Sequence, residues 1–468
     1  MAGELPSPLE WTDGLSDTRF VFYQGRLQSQ IHAGLYIGNH PFLTTTNELF
    51  VFDLPSVFTM QRESLWIYPE LPEVQRHQPT TLTWKNIVIE YCQDWMFYLS
   101  SKIKSLYLGE ALPRFISNGN AAYQTCYPRN ESGSLKRFSI DSDQASLAQQ
   151  SDKLAHCDRV LAMQQAYPEN KNTVLYGVSR GAATTFSALA AHHQQYKNVK
   201  LCVLEAPFDS VEGIAQSMFK SQSCGSWLYK NNWIRQGILG KQHHAERAAQ
   251  PRGHADYYPH NVPTVIVSSI TDDVVPHKNT IRLALRVAIR RLQAKEAGED
   301  ISPMYFLQLD SQRHVRYCNT GTQDASRYQS FIHYLYRKHQ LPHIEALAQQ
   351  CTENEKITDL TSDLMAPLVK AQQKYWQNKL YRQTIRMDAL TDFFKQLNHL
   401  QLKIMDEIRM IRFAKEMPLF SGLIEVPGLF FGKRAVGHDA VKSLAKRESE
   451  LVAKLAVEPQ PSSLQPST

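Results

Sequence analysis

A single serine lies between two glycines in the stretch GVSRG, where Ser179 stands between Gly177 and Gly181. An apolar run, TVLY, precedes this stretch, and a small-residue segment typical of a helix, Arg180–Ala191, follows it. A G-x-S-x-G sequence at a strand-to-helix turn is typical of a nucleophile elbow, which exposes the serine oxygen. The alternative is an ordinary turn with glycines at its corners. The context favours the elbow and predicts that Ser179 is a nucleophile.

A serine hydroxyl is a weak nucleophile, so it needs a histidine base and an acid that orients the base. Two later apolar runs end at such residues. PTVIVSSI is followed by Asp272 and Asp273, and MYFLQLD ends four residues before His314. Sites in open α/β sheets lie at the carboxyl ends of the strands. The sequence therefore predicts a Ser179–His314 pair, with Asp272 or Asp273 as the acid.

The elements that must position these residues predict an α/β fold. TVLYGVS, KLCVLEAP, PTVIVSSI and MYFLQLD are apolar runs without polar alternation, as in strands buried on both faces of a parallel sheet. We expect a mostly parallel sheet flanked by helices. Three earlier strands are predicted at Arg19–Tyr23, Gly34–Gly38 and Leu49–Asp53, with antiparallel pairing.

Changes in composition along the chain predict its domains. Residues 1–345 form the sheet domain, in which about 208–260, too long for a simple connection and rich in aromatic residues, is a cap insertion. Residues 346–457 form a helical, basic domain, and the Pro/Ser/Gln-rich tail 458–468 is disordered. From 363 to 416 apolar residues recur at helical spacing, as in a coiled coil or helical hairpin.

Charge and cysteine content exclude several classes of protein. The net charge of +6 lies entirely within residues 370–458, because this segment holds 16 Lys and Arg against 10 Asp and Glu. No aromatic-basic platform accompanies that charge, so we expect no nucleic-acid partner. Seven cysteines without a C-x-x-C pair argue against a zinc site or a disulfide framework. No apolar segment is long enough to span a bilayer, and the acidic N-terminus lacks the apolar core of a Sec signal peptide, so we expect a cytoplasmic protein.

Four sequence features together resemble the α/β-hydrolase superfamily, in particular its dienelactone-hydrolase and prolyl-oligopeptidase-like branches. They are GVSRGA, LEAPFDS, DDVVP and the lone His314, and the resemblance covers roughly Arg19 to His343. The D-x-x-V-P pattern of that superfamily implies that the acid is Asp272. The resemblance also implies two backbone donors for an oxyanion, one on Arg180 and one on Asn120, where Ser-Asn-Gly-Asn replaces the usual H-G-N. It implies no metal and no organic cofactor.

The resemblance implies a serine hydrolase that cleaves a carboxylic ester, with a lipid ester as the specific version. Two alternatives stay open: a peptidase of the prolyl-oligopeptidase type, and a hydrolase-fold protein that binds a partner or membrane without turnover. The helical extension and the tail also resemble those of lipase-like effectors that intracellular bacteria inject into host cells, which implies delivery by a non-Sec route.

Apolar residues beside basic ones near the C-terminus predict contact with an anionic membrane surface. The alternative is a loop buried on the hydrolase domain. The predicted membrane-contacting residues are Leu419, Phe420, Phe430, Phe431, Lys433 and Arg434.

Overall fold

The structure is a computed structural model of the 468-residue chain. It describes residues 17–23, 49–52, 137–138, 157, 160–161, 164, 171–210, 214, 251–312, 314, 323–351, 355–400, 402–422, 424–427, 433–436 and 439–457. Apart from residues 208–210, 214 and 251–260, the predicted cap lies outside the described residues. The predicted strand at 34–38 and the tail 458–468 lie outside them as well.

The described strands form a seven-stranded sheet and a separate hairpin. The sheet has the order β3-β2-β1-β4-β5-β6-β7, and the hairpin pairs β8 with β9. The strands are β1 (Thr18–Tyr23), β2 (Leu49–Phe52), β3 (Arg137–Phe138), β4 (Asn172–Val178), β5 (Val199–Glu205), β6 (Thr264–Ser269), β7 (Met304–Leu309), β8 (Ile424–Pro427) and β9 (Lys433–Val436).

The helices alternate with the later strands and then continue alone. The described helices are α1 (Arg180–His192), α2 (Pro251–His254), α3 (His277–Glu296), α4 (Gln323–Lys338), α5 (Glu345–Gln350), α6 (Glu355–Thr358), α7 (Ala366–Gln377), α8 (Arg382–Leu400), α9 (Ile404–Glu416), α10 (Pro418–Ser421) and α11 (Asp439–Val457).

All described pairs in the seven-stranded sheet are parallel. The prediction of antiparallel pairing among the first strands was wrong for β1 and β2, which pair in parallel from Phe20 opposite Leu49. About 25 residues separate these two strands, which is long enough for the crossover that a parallel pair requires. The four apolar runs are the adjacent strands β4 to β7, as their lack of alternation predicts.

Two hydrophobic cores cover the two faces of the sheet. On one face, α1 contributes Phe186 and Leu189 to the core, and α3 contributes Leu285. On the other face, α4 packs with Tyr328 and Ile332. A parallel sheet needs this cover on both faces because its strands carry few polar side chains.

The C-terminal helices α7 to α11 belong to the first of these cores. Phe413 of α9 contacts Phe306 of β7 with ring centroids 5.2 Å apart, and the guanidinium of Arg286 on α3 lies 4.9 Å from the ring of Trp376 on α7. The apolar stripe predicted over 363–416 divides into three helices. Its members Phe393 and Ile408 are buried in this same core.

Two of the six predicted membrane-contacting residues are placed inside the protein. Leu419 and Phe420 of α10 are completely buried, and the Leu419 main-chain carbonyl accepts a hydrogen bond from Arg386 Nε. For these two residues the prediction was wrong, since packing on α7 and α9 already covers their apolar surface. Lys433 and Arg434 lie in β9, and Phe430 and Phe431 lie outside the described residues.

The packing of α9 on β7 predicts a large loss of stability on truncation of Phe413. We expect Phe413→Ala to lower the free energy of unfolding by about 3 to 5 kcal/mol, because it leaves a cavity against Phe306. Leu380→Ala is the control, since Leu380 is 93% exposed, and it should change the value by less than about 0.5 kcal/mol. Urea unfolding followed by circular dichroism measures both. Equal effects of the two substitutions would show that α9 is not part of the core.

Candidate active site

The turn at Ser179 connects β4 to α1 with a backbone conformation that L-residues rarely adopt. Ser179 has φ 54° and ψ −115°, and such strain persists only where the surroundings hold it. Two backbone hydrogen bonds do so: Ser179 N–H donates to the Glu205 carbonyl at 2.7 Å, and Ala183 N–H donates to the Ser179 carbonyl at 3.0 Å. The serine side chain therefore stands at a sharp corner of the chain.

Gly177 allows α1 to approach β4 closely enough for this corner. A Cβ atom at Gly177 would lie 2.7 Å from both Ala182 Cα and the Gly181 carbonyl oxygen. Both of these are backbone atoms, so they cannot move aside as a flexible side chain would. The first glycine of the motif is therefore required by packing.

Ser179, His314 and Asp272 lie in one chain of hydrogen bonds. His314 Nε2 is 3.0 Å from Ser179 Oγ, and His314 Nδ1 is 2.8 Å from Asp272 Oδ2. The three residues follow β4, β7 and β6 respectively, at the carboxyl edge of the parallel sheet. This is the arrangement in which a histidine takes a proton from a serine while a carboxylate orients the imidazole.

Asp272 is held as a carboxylate although it is buried. Its Oδ1 accepts hydrogen bonds from Val274 N–H at 2.9 Å and Val275 N–H at 2.8 Å, which leaves Oδ2 for His314. Burial on its own would raise the pKa of Asp272, but His314 and these hydrogen bonds together lower it below the ordinary value of 3.8. The neighbouring Asp273 is exposed. Of the two candidate acids, Asp272 is the one that is hydrogen-bonded to the histidine.

Of the two predicted oxyanion donors, only Arg180 lies within the described residues. Arg180 is the first residue of α1, at the end of the helix where main-chain N–H groups can stabilise negative charge, and its side chain is buried. Asn120 lies outside the described residues and stays a prediction. Strand β1 lies next to β4, with Tyr23 opposite Gly177.

A buried carboxylate behind the elbow was missed from the sequence. Glu205 ends β5, is completely buried, and accepts hydrogen bonds from the hydroxyls of Tyr176 on β4 and Tyr328 on α4. The main-chain carbonyl of Glu205 accepts the hydrogen bond from Ser179 N–H, and its side chain accepts one from Tyr328 of α4. Glu205 therefore links the elbow to α4. A charged residue directly after the apolar stretch LCVL is the sequence feature that indicates it.

Asp209, in the same sequence stretch, is not brought to His314. Its carboxyl accepts a hydrogen bond from Ser210 Oγ at 3.3 Å, and its carbonyl accepts one from Arg252 N–H at 2.8 Å. Burial raises the pKa of the Asp209 carboxyl.

The strand order and the site together define the α/β-hydrolase fold: a parallel sheet flanked by helices, an elbow after β4, and an acid and a histidine after β6 and β7. Within the described residues, no helix is both long and apolar enough to cross a membrane. In the same part of the chain, no group of three or more His, Cys, Asp or Glu residues is placed to hold a metal ion.

Solved structures similar to this chain include the following enzymes. An acylaminoacyl peptidase of Pyrococcus horikoshii is 14% identical with a TM-score of 0.30, over 42% of this chain and 29% of the peptidase. A Pyrococcus furiosus esterase is 14% identical with a TM-score of 0.28, over 40% of this chain and 60% of the esterase. The meta-cleavage product hydrolase from Pseudomonas fluorescens is 12% identical with a TM-score of 0.25, over 40% of this chain and 72% of that hydrolase.

No protein-family model matches the sequence, and no curated protein matches it. The fold is therefore assigned here from the strand order and the site.

The lowered pKa of Asp272 predicts how stability depends on pH. Because the folded-state pKa lies below the unfolded value of 3.8, the ionised carboxylate stabilises the fold above pH 3.8, and this contribution is lost as the pH falls through the folded-state pKa. We expect the difference in unfolding free energy between wild type and Asp272→Asn to shrink over that range. Denaturant unfolding at a series of pH values measures it.

Asp273→Asn removes a carboxylate from the same turn and is the matched control for the general loss of one charge. A difference for Asp272→Asn that stays constant down to acid pH would contradict the stabilising role of the ionised Asp272 carboxylate.

Proposed function

We propose that this protein is a serine hydrolase that cleaves a carboxylic ester through an acyl-enzyme. The observation that supports the proposal is the unbroken hydrogen-bond chain from Ser179 through His314 to Asp272. A nucleophile, a base within hydrogen-bond reach and a group that orients the base are the parts that acyl transfer needs.

In the proposed reaction, Ser179 Oγ attacks the acyl carbonyl carbon while His314 Nε2 takes the hydroxyl proton. The negative charge then lies on the carbonyl oxygen, where the Arg180 N–H at the helix N-terminus stabilises it. The intermediate collapses, the C–O bond to the alcohol breaks, and the alcohol receives the proton from His314. Water attacks the acyl-enzyme with His314 again as base, which releases the carboxylic acid and restores Ser179.

Asp272 acts in both halves of this cycle without itself changing protonation. Its bond to Nδ1 fixes the tautomer in which Nε2 is free to accept the serine proton, and its negative charge stabilises the imidazolium that forms. The low pKa of this carboxyl suits that role, since it stays ionised at neutral pH.

An ester is the proposed substrate class, and a lipid ester is one member of it. The burial of Leu419 and Phe420 removes part of the support for a lipid surface, so the length of the acyl chain is left to measurement. A peptidase and an idle, binding-only site are the competing functions, and delivery into a host cell stays a prediction.

The proposal predicts that a fluorophosphonate probe labels the purified wild-type protein. Ser179→Ala should abolish labelling because the nucleophilic oxygen is absent, and His314→Ala should slow it strongly because no base takes the proton. A series of p-nitrophenyl esters of increasing chain length, run beside an aminoacyl p-nitroanilide, then separates esterase from peptidase. A folded wild-type protein that does not label would favour a site without turnover.

Replacing each of the two adjacent aspartates tests the assignment of the acid. Asp272→Asn should lower kcat by about 10⁴-fold, because an amide favours the wrong tautomer of the histidine. Asp273→Asn, one residue away and exposed, should leave kcat within about twofold of wild type. Ester hydrolysis at saturating substrate measures both, and the reverse ranking would give the role to Asp273.

A further inference from the structure

The loop that carries His314 is held by hydrogen bonds from two sides. Asp310 follows β7 and lies four residues before His314; its N–H and the Ser311 N–H donate to Asp324 Oδ2 at 3.0 and 2.7 Å. On the other side, Thr271 Oγ1 donates to the Gln312 carbonyl at 3.0 Å. These bonds fix the backbone of the loop but leave the Asp310 carboxylate available to other groups.

That carboxylate is held by the C-terminal helix α9. Arg412 Nη1 donates to Asp310 Oδ1 at 2.9 Å, and Arg409 Nε lies 3.6 Å from Asp310 Oδ2. The side chain of Asp310 is only 21% exposed and that of Arg409 only 13%. Water therefore screens these charges less than it screens an ordinary surface ion pair, and more of their attraction is retained.

A second layer of charges holds Arg412 in place. Glu448 of α11 accepts hydrogen bonds from Arg412 Nε and from Lys415 Nζ, both at 2.7 Å. Burial on its own would raise the pKa of Glu448, but these two cations lower it further than burial raises it. Arg412 thus bridges the carboxylate of the histidine loop and the carboxylate of the last described helix.

Helix α9 makes an apolar contact with β7 beside its ionic contact with Asp310. Phe413, next to Arg412 in sequence, packs on Phe306 of β7, the strand that leads directly into Asp310. Helix α9 thus contacts both β7 and the residue after it, four positions before His314. The helical extension is therefore connected to the loop that carries His314 through Asp310.

We propose that Arg412 is a positioning residue for His314: by bridging Asp310 and Glu448 it holds the loop that carries the histidine. This inference rests on the proposed function for its effect on rate. Its structural part, the dependence of the loop on Arg412, is independent of turnover. We expect loss of the bridge to slow acylation of Ser179 while substrate binding is largely kept.

Arg412→Gln in the full-length chain is the test, and Arg447→Gln is the matched control. Arg447 also joins α11 to α9, through an ion pair with Glu407 at 2.8 Å, and its side chain is 31% exposed against 29% for Arg412. Among the described residues, the Arg447 side chain bonds to Glu407 and Asn398 rather than to Asp310. The control therefore loses an ion pair between the same two helices away from the loop. Hydrogen exchange of peptides spanning residues 309–314 and the kinetics of fluorophosphonate labelling are measured for each protein.

We expect Arg412→Gln to speed amide exchange in these peptides and to lower the maximal labelling rate by about tenfold, since a small misplacement of a catalytic group is costly. The probe concentration at half-maximal rate should change by less than about twofold. Arg447→Gln should match wild type within about twofold in both measurements. Arg412→Lys, which keeps one positive charge in place, should recover part of the rate.

A double variant distinguishes action through Asp310 from a general loss of stability. If Arg412 works through this carboxylate, Asp310→Asn combined with Arg412→Gln should label no more slowly than the slower single variant. Additive losses, or equal labelling and exchange in Arg412→Gln and Arg447→Gln, would overturn the inference. If Arg412→Gln does not fold, Asp310→Asn and Arg412→Lys are compared with Arg447→Gln in its place.

Absence of labelling in wild type would refute the proposed function and leave the exchange experiment to decide the structural part. Faster exchange at 309–314 in Arg412→Gln than in Arg447→Gln would support the bridge, and equal exchange would refute it.

Discussion

The site depends on one strained residue that a neighbouring strand holds in place. Ser179 adopts a positive φ, which favours glycine, and the hydrogen bond from its N–H to the Glu205 carbonyl ties that conformation to β5. Parallel pairing of β4 with β5 sets Val178 opposite Glu205, so the register of the sheet fixes the corner. Gly177 then lets α1 begin within a turn of the strand. Strain at this residue is balanced by the surrounding sheet.

The same sheet brings together three side chains that are far apart in sequence. Ser179, Asp272 and His314 each follow a strand, and parallel strands end at a common edge. Asp272 is buried but keeps its charge, because two backbone N–H groups and the histidine satisfy it. An isolated buried carboxylate would instead be neutral. The negative charge of Asp272 is thus maintained by the short turn after β6 that supplies these N–H groups.

The helical extension contributes to this edge through its contacts with Asp310, the residue that follows β7. Its apolar residues complete the core that covers α1 and α3, while Arg409 and Arg412 reach the carboxylate after β7. Several basic residues of the C-terminal segment are held in partly buried ion pairs with Asp406, Glu407 and Glu448 of the same segment. Arg412 also pairs with Asp310, which lies outside the segment and so offsets part of its basic excess. Charge counted from sequence does not separate such internal pairs from a free basic surface.

The sequence by itself determined the central strands of the sheet and which residues come together at their carboxyl edge. The apolar runs without alternation predicted strands β4 to β7. The glycines around Ser179, and the acid and histidine after later strands, predicted which side chains form the hydrogen-bond chain. Tertiary structure decided what depends on partners distant in sequence: parallel pairing of β1 and β2, Asp272 rather than Asp273 at the histidine, burial of Leu419 and Phe420, and the contacts of Glu205 and Arg412. Local propensity cannot encode these, because strand order and side-chain burial are set by packing of the whole chain.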